Sequence, residues 1–131
     1  MGAADKRLMV IDDDELFCEL AAAGGQDLGF RVRQCSAPNA IAQNCEDFQP
    51  AVIVLDLFMP WVDGIEVLRY LADRHSTSSI VLISANDPTL DRAALLAQGL
   101  GLNVLAQLCK PFTLDDLGAA LREFEGAATA A

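Results

Sequence analysis

Residues 51–56 read Ala51-Val52-Ile53-Val54-Leu55-Asp56: five apolar positions in a row, closed by a carboxylate. A run this short and this apolar suits a strand covered on both faces, as in the middle of a parallel sheet. The same construction recurs on either side. Leu8-Met9-Val10-Ile11 ends in Asp12-Asp13, and Ile80-Val81-Leu82-Ile83 ends in Ser84. Val104-Leu105-Ala106-Gln107-Leu108 is followed closely by Lys110-Pro111. The segment Phe30-Arg31-Val32-Arg33-Gln34 alternates instead, which suits an edge strand with one wetter face.

Helix signals fill the intervals. The stretch from Glu15 to about Asp27 is the first helix, and its adjacent Gly24 and Gly25 cost about 1.5–2 kcal/mol relative to alanine, which predicts a bend or an early end. Ala37-Pro38 opens a second helix ending near Phe48. Ile65, Leu68, Leu71 and Ala72 mark the apolar stripe of a third. Asp87-Pro88 reads as an N-cap followed by proline at the first helical position. Thr113 with Asp116 reads as a capping box, and Leu114, Leu117, Leu121 and Phe124 then recur at helical spacing to face the sheet. Strands alternating with helices five times predict an α/β domain with a parallel sheet.

If the strands are parallel, Asp12, Asp13, Asp56, Ser84 and Lys110 meet at one edge, where open α/β sheets bind ligands. Three carboxylates raise one another's pKa when they gather. A divalent metal and the Lys110 ammonium would remove that conflict, so the set reads as a Mg²⁺-dependent phosphoryl site.

The bulk composition narrows the setting. A chain of 131 residues fits one domain, and 53% hydrophobic residues supply a core. A net charge of -10 disfavours a direct grip on nucleic acid, which needs Lys and Arg for the phosphates. No apolar run is long enough for a membrane span, and the N-terminus lacks a secretory stretch, so a cytoplasmic location is expected. Cys18, Cys35, Cys45 and Cys109 lack zinc-ligand spacing and read as core filler. His75, the one histidine, reads as a loop residue. Residues 1–6 read as an N-terminal extension and 125–131 as a flexible tail or linker stub.

Ile11-Asp12-Asp13-Asp14, the spaced group Asp56, Met59-Pro60, Asp63-Gly64, then Ser84-Ala85 and Lys110-Pro111-Phe112 resemble the receiver domain of two-component response regulators. The likeness covers about residues 7–124. It implies a (βα)5 flavodoxin-like three-layer sandwich with a five-stranded parallel sheet in the order 2-1-3-4-5. It also implies roles. Asp56 is the phosphoacceptor. Asp12, Asp13, Asp56 and the backbone carbonyl of Phe58 hold Mg²⁺, with Mn²⁺ as a substitute. Lys110 contacts the phosphoryl group, Ser84 hydrogen-bonds it and acts in the switch, and the Lys110–Pro111 bond is cis. The implied partners are a sensor histidine kinase or a histidine phosphotransfer protein, and an output domain, linked or separate. The protein then assists its own phosphoryl transfer rather than turning over a substrate.

One departure matters. Many receivers place Tyr or Phe three residues before the lysine, at a switch position that here is Gln107. The stretch Gly101–Phe112 is similar to receivers joined to EAL-type cyclic-di-GMP phosphodiesterase domains. The alternative function is a pseudo-receiver that keeps the fold as an interaction module. An aspartyl phosphatase is disfavoured because position 58 is Phe where a second acid is needed. The first helix borders the expected site, so Leu16, Phe17 and Leu20 are candidates either for partner docking or for the core.

Overall fold

The structure, a computed structural model, describes the backbone of residues 6–60 and 62–130. In order the elements are β1 (Arg7–Ile11), α1 (Glu15–Asp27), β2 (Arg31–Cys35), a 3₁₀ turn (Pro38–Ala40) and α2 (Ile41–Phe48). There follow β3 (Val52–Asp56), a short antiparallel pair β4 (Phe58–Met59) and β5 (Val62–Asp63), and α3 (Gly64–Asp73). The chain continues with β6 (Ser79–Ser84), α4 (Asp87–Gly99), β7 (Asn103–Cys109) and α5 (Leu114–Ala130). Five strands form one parallel sheet in the order β2-β1-β3-β6-β7. That is the expected order 2-1-3-4-5, with the β4–β5 pair inserted after the third strand.

The period of two along each strand sorts side chains into two layers. Met9, Ile11, Ile53, Leu55, Ile80 and Leu82 lie in one core with Leu68 and Leu71 of α3 and Ala93 and Ala97 of α4. Leu8, Val10, Val52, Val54, Val81 and Ile83 lie in the other with Cys18 and Ala21 of α1 and Leu117 and Leu121 of α5. Every residue of β3 and β6 is buried, as their unbroken apolar runs require. β2 is the wetter edge strand foreseen from its alternation.

Local readings succeed where the signal is local. Thr113 and Asp116 form both capping-box bonds, Asp116 N to Thr113 Oγ1 at 3.0 Å and Thr113 N to Asp116 Oδ2 at 2.9 Å. Three readings need correction. The glycine pair does not end α1 early; the helix runs to Asp27, and a Cβ at Gly25 would lie 2.8 Å from Leu8 Cδ2. That glycine lets helix and sheet approach closely. The cap of α4 is Asn86 rather than Asp87, because the Asn86 side chain accepts from Thr89 N at 3.0 Å. Leu114 does not face the sheet; it stands exposed at the start of α5 while Leu117 and Leu121 are buried.

The backbone of α5 stays helical through Ala130, across most of the segment read as a tail. Residues 1–5 of the proposed N-terminal extension lie outside the described residues. One feature of β7 had no local signal. Ile80 pairs with Val104 but Val81 pairs with Ala106, so Leu105 is an extra residue in the ladder. Leu105 and Ala106 therefore both pack toward α1 and α5, and the alternation downstream shifts by one.

Candidate functional site

The parallel ladders deliver the expected residues to the carboxyl edge of the sheet. Asp12 N donates to Cys35 O, Leu57 N to Ile83 O, and Lys110 N to Ser84 O, so backbone bonds tie each strand end to its neighbour. One carboxylate oxygen from each of Asp12, Asp13 and Asp56 lies within 4.8 Å of the others. Asp12 and Asp56 are buried, whereas Asp13 is exposed.

The two buried acids are held in the same way. Asp12 Oδ1 accepts from Asp14 N at 3.0 Å, and Asp56 Oδ1 accepts from Phe58 N at 3.1 Å. Each is a side chain bonding the backbone two residues on, a geometry Asp favours at turns. The Oδ2 atoms remain, and both face Lys110 Nζ, at 3.8 Å for Asp12 and 3.6 Å for Asp56. These distances are ion pairs, too long for hydrogen bonds. Asp12 Oδ2 is buried without a hydrogen-bond partner. Burial is the main force lifting the Asp12 pKa to about 7, with the Asp56 charge adding to it and the Asp14 amide and Lys110 opposing. One ammonium is therefore not enough to compensate the cluster.

Lys110 is fixed from several sides. The Lys110–Pro111 bond is cis. Its ammonium lies 5.8 Å from the ring centre of Phe17, which meets Phe112 edge-on at 5.7 Å. Phe17 is thus half-buried beside the site, while Leu16 and Leu20 on the same helix are 65% and 44% exposed. The α1 alternatives resolve residue by residue: two leucines project outward and one phenylalanine packs.

Ser84 is buried, and its Oγ accepts from Asn86 N at 3.1 Å, which leaves its own proton to donate. Phe58 follows Asp56 by two residues and is 60% exposed. Gln107 pairs in register with Leu82 and is exposed, outside the acid cluster. Asp14 and Asp63 have helix-capping roles, accepting from Phe17 N and Ile65 N. One contributor had a sequence signal of only a turn. A Cβ at Gly64 would lie 2.7 Å from Leu57 Cα, so this glycine lets α3 close on the backbone directly after Asp56.

Comparison with known proteins bears on what this edge is for. The family model described as the response regulator receiver domain matches residues 8–122. The chain is 30% identical over 121 residues to the probable C4-dicarboxylate response regulator DctR of Halalkalibacterium halodurans, covering 91% of this chain and 51% of that one. It is 28% identical over 118 residues to the alkaline phosphatase synthesis transcriptional regulatory protein PhoP of Bacillus subtilis, covering 90% of this chain and 48% of that one. The chain spans about half the length of these curated relatives. Among solved structures, a response regulator from Colwellia psychrerythraea superposes with a TM-score of 0.77 at 32% identity, covering 98% of this chain and 100% of that one. The matched stretch opens in β1 and closes in α5, taking in the whole carboxyl edge; the chain belongs to the receiver-domain family of two-component response regulators.

Proposed function

We propose that this receiver is a phosphoacceptor switch in which Asp56 takes a phosphoryl group from a phosphohistidine on a partner. The observation that carries the reading is the paired geometry of Asp12 and Asp56. Each spends one oxygen on a backbone amide and turns the other toward Lys110. The carboxylate of Asp56 attacks phosphorus, the phosphorus–nitrogen bond breaks, and the imidazole leaves with the electron pair. The product is an acyl phosphate on Asp56. The work left to the protein is positioning and charge stabilisation. Lys110 stands to pair with a phosphoryl oxygen as a point charge.

The donor set fits a divalent ion. Three carboxylates converge, and Asp12 Oδ2 is orphaned in a buried position. Asp12, Asp13 and Asp56, with the Phe58 carbonyl, would hold Mg²⁺ or Mn²⁺, hard cations that favour oxygen ligands. Bound there, the ion supplies positive charge against the developing charge on the phosphoryl oxygens.

Switching runs through Ser84. Its hydroxyl donates to a phosphoryl oxygen only after phosphorylation, and its oxygen already holds the amide of Asn86, the cap of α4. A shift of Ser84 would therefore move the start of α4. Gln107 replaces the aromatic readout of other receivers, so the conformational signal passes through this loop rather than a ring. The phosphodonor is a sensor histidine kinase or a histidine phosphotransfer protein, docking over Leu16 and Leu20. The target is an output domain, linked or separate, rather than nucleic acid or membrane.

The test is intact mass after incubation with acetyl phosphate, with and without Mg²⁺. A single Mg²⁺-dependent phosphoryl adduct, absent in Asp56→Asn, is expected. No adduct with either acetyl phosphate or a cognate phosphodonor protein would overturn the reading and leave an interaction module.

A further inference from the structure

Lys110 reaches the acids without bonding to either of them. Its Nζ stands 3.8 Å from Asp12 Oδ2 and 3.6 Å from Asp56 Oδ2, and among the described residues it donates no hydrogen bond. The third group that faces it carries no charge. The Phe17 ring lies under the ammonium, with 5.8 Å from ring centre to Nζ, inside the range over which a ring face attracts a cation.

The ring is braced. Phe112, two residues after Lys110, meets it edge-on at 5.7 Å with the planes 87° apart. Both rings pack on the core layer of α1 and α5. The backbone that carries Phe17 is tied to the acid. Asp12 Oδ1 accepts from Asp14 N at 3.0 Å, and Asp14 Oδ1 accepts from Phe17 N at 3.2 Å. The neighbouring Cys18 Sγ donates to Asp12 O at 3.4 Å. Three hydrogen bonds therefore fix the start of α1, and Phe17 with it, relative to Asp12.

An ammonium has three N–H donors on a flexible stem. Carboxylates alone would draw it into a short, hydrogen-bonded pair and occupy those donors. A ring face attracts the charge without that competition. We propose that Phe17 is a positioning residue, whose ring holds the Lys110 ammonium between Asp12 and Asp56, off both, with its donors free for an incoming phosphoryl oxygen. The role rests on the reading of Asp56 as the phosphoacceptor and adds a residue to it.

The chain has two lysines, Lys6 and Lys110, so their side-chain ε-methylene resonances can be told apart. Lys6, 4.8 Å from the centre of the Phe30 ring, is the internal reference. Spectra taken in EDTA without a phosphodonor do not depend on phosphoryl transfer. Overhauser contacts between the Lys110 ε protons and the Phe17 ring are expected in the natural chain. Phe17→Leu should move the Lys110 resonance downfield and leave Lys6 in place, and Phe17→Tyr should keep it near its natural position. With acetyl phosphate and Mg²⁺, followed by intact mass, Phe17→Leu should slow adduct formation about three- to tenfold, and Phe17→Tyr should stay within about twofold. In a Lys110→Ala background, Phe17→Leu should change the rate less than about twofold, because the ring then has nothing to position. Missing Overhauser contacts, an unmoved Lys110 resonance in Phe17→Leu, or equal slowing with and without Lys110 would overturn the proposal. A natural chain that shows the contact but takes no phosphoryl group would overturn the phosphoacceptor reading, and this role with it, while the contact itself stands.

Discussion

The two edges of the central sheet carry opposite chemistry and satisfy it differently. Where the strands end, Asp12, Asp13 and Asp56 gather, Asp12 and Asp56 share one ammonium, and Asp12 Oδ2 is left without a hydrogen bond. Where the strands begin, Arg7 and Arg74 each have a hydrogen-bond partner and line a cavity that no described acid enters. Helix polarity runs the same way. α1, α3 and α4 start beside the acids, capped by Asp14, Asp63 and Asn86, while α2 and α3 finish near the arginines. Negative groups favour helix starts and positive groups favour helix ends. The lesson is that the edge where the strands end is built with a deficit of positive charge.

That contrast can be broken most severely at Lys110. Lys110→Ala removes the only ammonium the acids face among the described residues. The rate of adduct formation from acetyl phosphate, followed by mass, should fall about 100-fold or more, the scale of losing one charge-stabilising group. A change within threefold would mean that Lys110 is a spectator.

Gly64→Ala attacks the same edge through packing. The new methyl would meet Leu57 Cα, a backbone atom that cannot swing aside. Urea denaturation should show a loss of about 1–3 kcal/mol, the cost of overpacking. Gly24→Ala is the control, because nothing lies within 4 Å of its added methyl, and it should be neutral or slightly stabilising.

Proton linkage sharpens the comparison. The Asp12 pKa is raised to about 7, mainly by burial, from 3.8 in the unfolded chain. The folded state then binds the proton more tightly, so this group's contribution is full at low pH and is lost as pH rises through 7. In EDTA the melting temperature should fall between pH 6 and pH 8. Asp12→Asn should flatten that fall and raise the melting temperature at pH 8 by about 5 °C. Added Mg²⁺ should stabilise the natural chain more at pH 8 than at pH 6. A melting temperature that rises over this interval would contradict the assignment.

The smallest effect on the fold is expected at the surface. Leu16→Asp changes an exposed side chain, so stability should stay within about 0.5 kcal/mol. Phosphotransfer from a cognate phosphodonor protein should slow about tenfold, while labelling by acetyl phosphate is unchanged. Equal loss with both donors would place the effect at the site rather than in docking.

Much of this was legible in order. Each apolar run in the sequence is closed by a residue with chemistry, and a parallel sheet must carry those residues to one edge. The capping box at Thr113 was legible because its four residues are contiguous. Leu114 misled because apolar spacing alone cannot tell a sheet-facing leucine from one at the helix mouth. The Gly24–Gly25 pair misled for a similar reason. Propensity penalises two glycines in a helix, but Leu8, far away in the chain, needs the space at Gly25.

The sequence by itself determined the α/β class, the covered and the wet strands, and the company that Asp12, Asp13, Asp56, Ser84 and Lys110 keep. These follow from periodicity and strand ends, which are local. Only the tertiary structure decided which oxygen of each acid is spent on an amide and that Phe17 packs while Leu16 projects. It alone placed the extra residue in β7 and put Gly64 against Leu57. It also opened a cavity around Arg74 at the other edge that no carboxylate lines among the described residues. Each of these depends on distances between segments far apart in the chain, set by packing that no single stretch of sequence encodes.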